Sequence, residues 1–242
     1  MSSLRTRVGS LEFENPSMVA SGIMDETGLS MVRILQSGAG AAVSKSVGTN
    51  PNPGHANPNF IEVNAGCINA MGLPNPGIEA FAEEMEVATK EGTIIGSIYG
   101  GNADEFAKLA GRMEDFGACA VELNLSCPHA KGYGIEVGTD PKLVKTIVSS
   151  VKAAVDIPVW AKLTPNTHIL TDIGQARVRA RRRETIGIIL GRNPLLPQNT
   201  YHRAECVSSV SAGSKVQSRS NRSPAKRVRF DQSFIFFHLP VL

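Results

Sequence analysis

Short apolar runs alternate with amphipathic segments along the first 176 residues of the chain. The apolar runs have the length of β-strands and lie at residues 17–22, 41–48, 93–101, 119–126 and 158–166. The segments between them carry apolar residues at helical spacing and lie at residues 26–38, 78–92, 103–117 and 140–155. Apolar runs without strict alternation are typical of parallel strands covered by helices. The pattern therefore predicts an α/β fold in which five strands alternate with helices.

A polar or reactive side chain stands at the end of each of the five strands. These side chains are Ser21, Lys45, Ser97, those of residues 124–127, and Lys162. A (β/α)8 barrel builds its site from the C-terminal ends of several strands, whereas a doubly wound sheet binds its ligand at one Gly-rich turn. No G-x-G-x-x-G motif follows a strand in this sequence. The chain is therefore predicted to be a TIM barrel, of which about the first five βα units can be recognised in the sequence.

Cys127 stands between a serine and Pro128, directly after the fourth predicted strand. Proline cannot extend a central strand, so the chain is expected to leave the sheet at this cysteine. Gly132 and Gly134 then allow a mobile loop. Two interpretations stay open from the residues alone: a buried structural thiol, or a general base at the barrel mouth.

Lys45 and Lys162 end two of the apolar strands. A lysine is costly to bury without a partner, so each is either a surface lysine or a group that meets an electron-rich ligand. If the lysines bind a ligand, a reduced flavin, a phosphate or a carboxylate would have the required electron-rich atoms. Residues 49–77 form a long segment rich in Pro, Asn and Gly with no helical period, and its Asn69 is either part of an ordinary turn or an amide for ligand recognition.

Charge divides the chain into two parts. Residues 1–176 carry 12 Lys and Arg against 19 Asp and Glu, whereas residues 177–242 carry 13 against 3. We expect residues 1–176 to be the N-terminal part of the barrel and residues 177–242 to be a basic tail that is disordered or out of frame. Within this tail only the run at 184–191 has the character of a strand. The tail lacks aromatic interleaving and any nucleic-acid-binding motif, so no nucleic-acid partner is expected.

Composition excludes several other classes. No apolar run approaches the roughly 18–20 residues that span a bilayer, and the N-terminus lacks the apolar core of a signal peptide. The four cysteines show no C-x-x-C spacing, which argues against a metal site or a disulfide framework. The sequence predicts a cytoplasmic enzyme with no membrane partner and no metal.

Five motifs resemble those of the class 1 dihydroorotate dehydrogenases, in the same order and at similar spacing. They are "ASG" at 20–22, "SKS" at 44–46, "NAMGLPNPG" at 69–77, "ELNLSCPHAKGYG" at 122–134 and "AKLTPN" at 161–166. The chain is most similar in character to the archaeal and bacterial class 1B catalytic subunits. The resemblance implies a barrel that contains FMN and oxidises dihydroorotate to orotate in pyrimidine biosynthesis.

The resemblance also implies roles for individual residues. Cys127 matches the catalytic base of the family. The positions that match flavin contacts are Ser21, Lys45, Ser46, Asn124 and Lys162. The positions that match substrate contacts are Lys45, Asn69, Ala70, Met71, Gly72, Leu73 and Asn124. In this reading, residues 50–77 form a lid over the substrate.

Two departures from the family pattern leave alternatives open. His129 stands where many members have asparagine, and "SCPH" also resembles the dihydropyrimidine dehydrogenases, which act on uracil and thymine. After Gln175 the last three βα units, which hold the FMN phosphate in the family, are not legible. A reading-frame change near residue 176 would explain this, and the chain would then be a catalytically incompetent barrel fragment.

The resemblance further implies an assembly. Class 1B enzymes work with an electron-transfer subunit that carries FAD and an iron–sulfur cluster and passes electrons to NAD. The expected partners are therefore dihydroorotate and orotate, such a subunit, and further protein chains in a homo-oligomer or hetero-oligomer. Fumarate is the alternative electron acceptor in the wider class.

Overall fold

The computed structural model describes residues 4–63, 66–127, 135–164, 188–190 and 235–237. The chain begins with an antiparallel hairpin of strands β1 (Thr6–Val8) and β2 (Leu11–Phe13). The hairpin was not among the five predicted strands, because each of its strands has only three residues and neither forms a continuous apolar run.

A parallel sheet of seven strands follows. Its strands are β3 (Ser17–Val19), β4 (Ala41–Val43), β7 (Ile94–Ile98), β8 (Ala120–Leu125), β9 (Val159–Leu163), β10 (Ile188–Leu190) and β11 (Ile235–Phe237). Their order across the sheet is β10-β9-β8-β7-β4-β3-β11. The first five match the five predicted strands. Strand β10 lies within the run at 184–191, and the rest of the predicted basic tail, except β11, lies outside the described residues.

Helices connect the strands, as the apolar spacing predicts. They are α1 (Gly28–Gln36), α2 (Ala82–Thr89), α3 (Ala103–Asp115), α4 (Ile135–Gly138) and α5 (Pro141–Ala154). Side chains of Thr27, Asn102 and Asp140 cap α1, α3 and α5 by accepting hydrogen bonds from backbone N–H groups of the first turn. Among the described helices, none is long and apolar enough to cross a membrane.

Other elements also differ from the prediction, and neither α4 nor β11 was predicted. Helix α2 begins at Ala82, because residues 78–81 form turns before it, although Ile78 and Phe81 remain buried in the core. The long segment 49–77 contains a second hairpin, of β5 (Phe60–Val63) and β6 (Gly66–Asn69). Strands of four residues in a segment rich in Pro and Asn carry too weak a pattern to be predicted.

Apolar packing covers both faces of the sheet. On the outer face, residues such as Val121 and Leu123 pack with the buried faces of α3 and α5. On the other face, Ile95, Ala120 and Trp160 pack with residues of the β1–β2 hairpin. We call this second face the inner face. The ring of Phe13 lies 6.4 Å from that of Trp160, so the hairpin covers the inner face near the N-terminal ends of the strands.

Candidate functional site

The inner face becomes polar toward the C-terminal ends of the strands. Side chains alternate between the two faces of a strand, so residues two positions apart share a face. Ser97, Glu122 and Lys162 each lie two residues after an apolar inner-face residue. Parallel register places Ser97 opposite Glu122, and Asn124 opposite Lys162. Four polar side chains of neighbouring strands are thereby brought onto one face.

Ser46 is the centre of a hydrogen-bonded cluster at these strand ends. Its Oγ lies 3.0 Å from Oγ of Ser21 and 2.8 Å from Oγ of Ser97. It also accepts a hydrogen bond of 3.0 Å from Nδ2 of Asn124. All four side chains are buried. The structure therefore brings together Ser21, Ser46 and Asn124, three of the residues that the resemblance assigns to a cofactor.

Glu122 joins Lys162 to this cluster. Its Oε1 accepts hydrogen bonds from Nζ of Lys162 at 2.6 Å and from Oγ of Ser97 at 3.0 Å. The side chain of Glu122 is 1% exposed and that of Lys162 is 10% exposed. The reading of the sequence missed Glu122, although a lone glutamate in the otherwise apolar run "AVELNL" was a visible signal. We call Ser21, Ser46, Ser97, Glu122, Asn124 and Lys162 the strand-end network.

Lys45 precedes Ser46 in the segment after β4 and is also buried. Its Nζ is 3.6 Å from Oε1 of Glu26, whose side chain is largely exposed, and its backbone N–H donates to the carbonyl oxygen of Asp25. An ion pair with one exposed partner contributes little to stability. Because Lys45 and Lys162 are both buried, the alternative of two surface lysines is wrong.

Asp25 is a second carboxyl group that the sequence reading missed. It is 0% exposed, and its Oδ2 accepts a hydrogen bond of 2.5 Å from the N–H of Gly22. Its Oδ1 is buried and has no hydrogen-bond partner among the described residues. Burial raises the pKa of Asp25 to about 6, although the Gly22 N–H and the positive charges of Lys45 and Lys162 act to lower it. The charges of Lys45 and Lys162 therefore interact with carboxyl groups of the chain itself.

Residues 69–73 lie on a loop that is bonded to other parts of the long segment. The backbone N–H of Ala70 donates to the carbonyl of Asn59, and the carbonyl of Met71 accepts from the N–H of His55. Gly72 has φ +75°, and an added Cβ would lie 2.7 Å from a ring carbon of His55. The close packing and the positive φ both require glycine there.

Asn75 fastens this loop to the strand ends. Its Nδ2 donates to the carbonyl of Leu73 at 2.9 Å and lies 2.8 Å from the hydroxyl of Tyr99. Its Oδ1 accepts from the N–H of Gly48 at 3.3 Å. Gly48 follows β4 and Tyr99 follows β7, so the loop that holds residues 69–73 is attached beside the strand-end network. Asn75 was not among the predicted site residues.

Cys127 is partly buried just beyond the end of β8. The chain leaves the strand through Ser126, whose N–H and Oγ both bond to Oδ1 of Asn124, at 3.2 and 3.0 Å. This contact also orients the Asn124 amide, since its Nδ2 is directed to Ser46. His129 and the predicted mobile loop lie outside the described residues.

Cys119 has a different environment, at the start of β8. Its Sγ donates to the carbonyl of Ile94 at 3.1 Å, and burial raises its pKa to about 11. Such a thiol stays protonated at neutral pH and is unreactive. Within the described part of the chain, no group of three His, Cys, Asp or Glu residues could hold a metal ion.

Known proteins supply independent information on the family. A family model described as dihydroorotate dehydrogenase matches residues 3–210. The chain is 51% identical over 182 residues to a protein of Methanocaldococcus jannaschii, covering 73% of this chain and 59% of that protein. It is 48% identical over 214 residues to one of Thermoplasma volcanium, covering 88% of this chain and 70% of that protein. Both relatives are named "Dihydroorotate dehydrogenase B (NAD(+)), catalytic subunit".

A third relative with the same name, from Pyrococcus furiosus, is 50% identical over 178 residues, which are 74% of this chain and 59% of that protein. The chain thus spans about 60% of the length of several of the relatives that it matches. A solved dihydroorotate dehydrogenase of Eimeria tenella, in complex with ferulenol, superposes with a TM-score of 0.64 at 16% identity, over 73% of this chain and 57% of that chain. The prediction of a TIM-barrel fold is confirmed, and the chain belongs to the dihydroorotate dehydrogenase family.

Proposed function

We propose that the strand-end network and Cys127 form an active site that oxidises dihydroorotate to orotate in pyrimidine biosynthesis. The observation that carries this proposal is the layer of buried polar and charged side chains on the inner face of a barrel of this family. Buried Lys45 is paired with Glu26, a carboxylate that is itself largely exposed, so the burial of this ammonium supports a ligand with electron-rich atoms.

The residues of the network fit FMN. Hydroxyl, amide and ammonium groups lie side by side on one face, and such a donor and acceptor set suits a planar ring with N–H and C=O edges. Ser21, Lys45, Ser46, Asn124 and Lys162 would hold the cofactor. When bound, FMN supplies the acceptor for the hydride that leaves C6 of dihydroorotate.

Cys127 is proposed as the catalytic base. As a thiolate its Sγ takes the proton from C5 of dihydroorotate, so that C5 and C6 become doubly bonded once the C6 hydride has left. Its place two residues after the end of β8, next to Ser126, which bonds to the Asn124 amide, supports this role. Pro128, the next residue in the sequence, lacks the N–H group that would extend a strand.

Substrate recognition is assigned to Lys45, Asn124 and the loop of residues 69–73. Dihydroorotate carries a carboxylate and a cyclic urea, which need a cation and amide groups respectively. The attachment of this loop by Asn75 to Gly48 and Tyr99 supports its participation, because it fixes the loop beside the strand ends.

The relatives' name, "catalytic subunit", implies that those proteins work with another subunit. We propose that this chain likewise acts in the cytoplasm with an electron-transfer subunit that carries FAD and an iron–sulfur cluster. Electrons would then pass to NAD.

The test is anaerobic reduction of the purified 242-residue chain loaded with FMN. We expect dihydroorotate to bleach the flavin absorbance in the parent and Cys127→Ser to slow the bleaching at neutral pH by at least about 100-fold. Cys119→Ser is the matched control and should retain the parent rate. Bleaching by dihydrouracil in place of dihydroorotate would favour the dihydropyrimidine alternative. A chain that takes up no FMN would be the incompetent fragment.

A further inference from the structure

We propose that Glu122 is a positioning residue that fixes the Lys162 ammonium and balances its charge, so that the flavin meets an ion pair instead of a lone cation. This inference rests on the proposed function. None of the residue roles implied by the family resemblance includes Glu122.

The pair is buried and directly bonded. Nζ of Lys162 lies 2.6 Å from Oε1 of Glu122, and neither side chain is more than 10% exposed. A buried lysine that loses its hydrogen-bonded carboxylate becomes a poorly compensated charge, which is far costlier than breaking a surface pair. Glu122 therefore controls both where the ammonium lies and how much positive charge the inner face presents.

Glu122 also sets the direction of the hydroxyl groups. A serine has one hydroxyl proton, and Ser97 uses its proton on the Glu122 carboxylate. In the contact between Ser46 and Ser97, the donor is then Ser46. By the same reasoning the donor in the contact between Ser21 and Ser46 is Ser21.

The consequence reaches the strand end farthest from Glu122. With its proton directed to Ser46, Ser21 presents only lone pairs to a ligand and can accept a hydrogen bond but not donate one. The carboxylate of Glu122 is thus the final acceptor of a chain of hydroxyls that begins at Ser21. A ligand that fits must offer an N–H or O–H to Ser21.

The deciding measurement compares affinities for oxidised and reduced FMN in Glu122→Gln. Glutamine keeps an acceptor oxygen but removes the negative charge. Because the reduced ring is anionic, we expect its affinity to rise roughly tenfold relative to that of oxidised FMN. That change equals about 30 mV in a two-electron potential. Lys162→Met should move the ratio in the opposite direction.

The matched control is Glu86→Gln, which removes one charge from an exposed pair with Lys90 and should leave the ratio unchanged. A Glu122 that served only the fold would change both affinities by one common factor. A common factor, or a shift in the same direction for Glu122→Gln and Lys162→Met, would overturn the proposal.

A second measurement needs no cofactor, and it separates this inference from the proposed function. Urea unfolding of the FMN-free chain is followed for Glu122→Met, Lys162→Met and the double variant. We expect each single change to lower the unfolding midpoint and the double change to lower it by less than the sum. Additive effects would overturn the pairing even if FMN binds. If FMN fails to bind, the proposed function fails, while coupling would still support the pairing.

Discussion

The inner face of the sheet has an apolar half and a polar half, and the same strands run through both. Toward the N-terminal ends, Ile95, Ala120 and Trp160 pack under the β1–β2 hairpin. Two residues further along the same strands, Ser97, Glu122 and Lys162 form a hydrogen-bonded network. Both halves lie on the same parallel strands, so the difference between them lies in their side chains. The apolar half contributes stability, and the polar half supplies the groups available for chemistry.

The largest effect is expected in the apolar half. Trp160 is 2% exposed and packs against Phe13. Trp160→Ala should lower the free energy of unfolding by about 3–5 kcal/mol, because it removes buried area and leaves a cavity. Urea unfolding measures this. The control is Leu29→Ala, at a side chain 70% exposed, which should change stability by less than about 0.5 kcal/mol. Equal losses in the free energy of unfolding for the two variants would contradict the view that the apolar half stabilises the fold.

Asp25 gives the next effect, and its sign depends on pH. Burial raises its pKa from 3.8 to about 6, so the folded state disfavours the carboxylate. The contribution of Asp25 to stability is therefore complete below pH 3.8 and is lost as the pH rises through about 6. At neutral pH the loss is at most about 3 kcal/mol.

Asp25→Asn removes this titration while it keeps an oxygen for the Gly22 N–H. We expect stability of the variant relative to the parent to rise by about 2–3 kcal/mol between roughly pH 4 and pH 7.5. Urea unfolding at both pH values measures this difference. A difference that does not change with pH would show that Asp25 is not held as the structure has it.

Ser46 gives a smaller effect within the polar half. Ser46→Ala removes the hydrogen bond between Ser46 and Ser97 and the acceptor of the Asn124 Nδ2 group, which should cost about 1–3 kcal/mol. Thermal unfolding measures the loss, with Ser149→Ala on the exposed side of α5 as the control. FMN binding should weaken in Ser46→Ala and stay unchanged in Ser149→Ala. Equal stability of the two variants would mean that the network contributes nothing.

How much of this could be read from the sequence differs between the two halves. Apolar runs and helical spacing predict the five strands and their helices, since burial controls both. Ser21, Lys45 and Lys162 could be found because each ends a strand. Glu122 could not be assigned in the same way, because its partners Ser97 and Lys162 lie on neighbouring strands and strand register decides these contacts. Asp25 lies on a loop, and its burial near Lys45 and Lys162 depends on tertiary packing.

The smallest expected effect is a difference in labelling rate between the two partly buried cysteines of the described region. Burial raises the pKa of Cys119 to about 11, so at about pH 8 only on the order of one in a thousand of its thiols is ionised. Iodoacetamide followed by peptide mass spectrometry should show Cys127 modified at least about tenfold faster. Faster modification of Cys119 would remove the distinction between a structural and a reactive thiol.

The strongest test of the polar half as an active site is anaerobic titration of the FMN-loaded chain with dihydroorotate. We expect the flavin to be reduced in the parent, reduction to be slowed at neutral pH by at least about 100-fold in Cys127→Ser, and Cys119→Ser to behave as the parent. Stoichiometric FMN that dihydroorotate leaves oxidised, or reduction that survives unchanged in Cys127→Ser, would contradict the assignment.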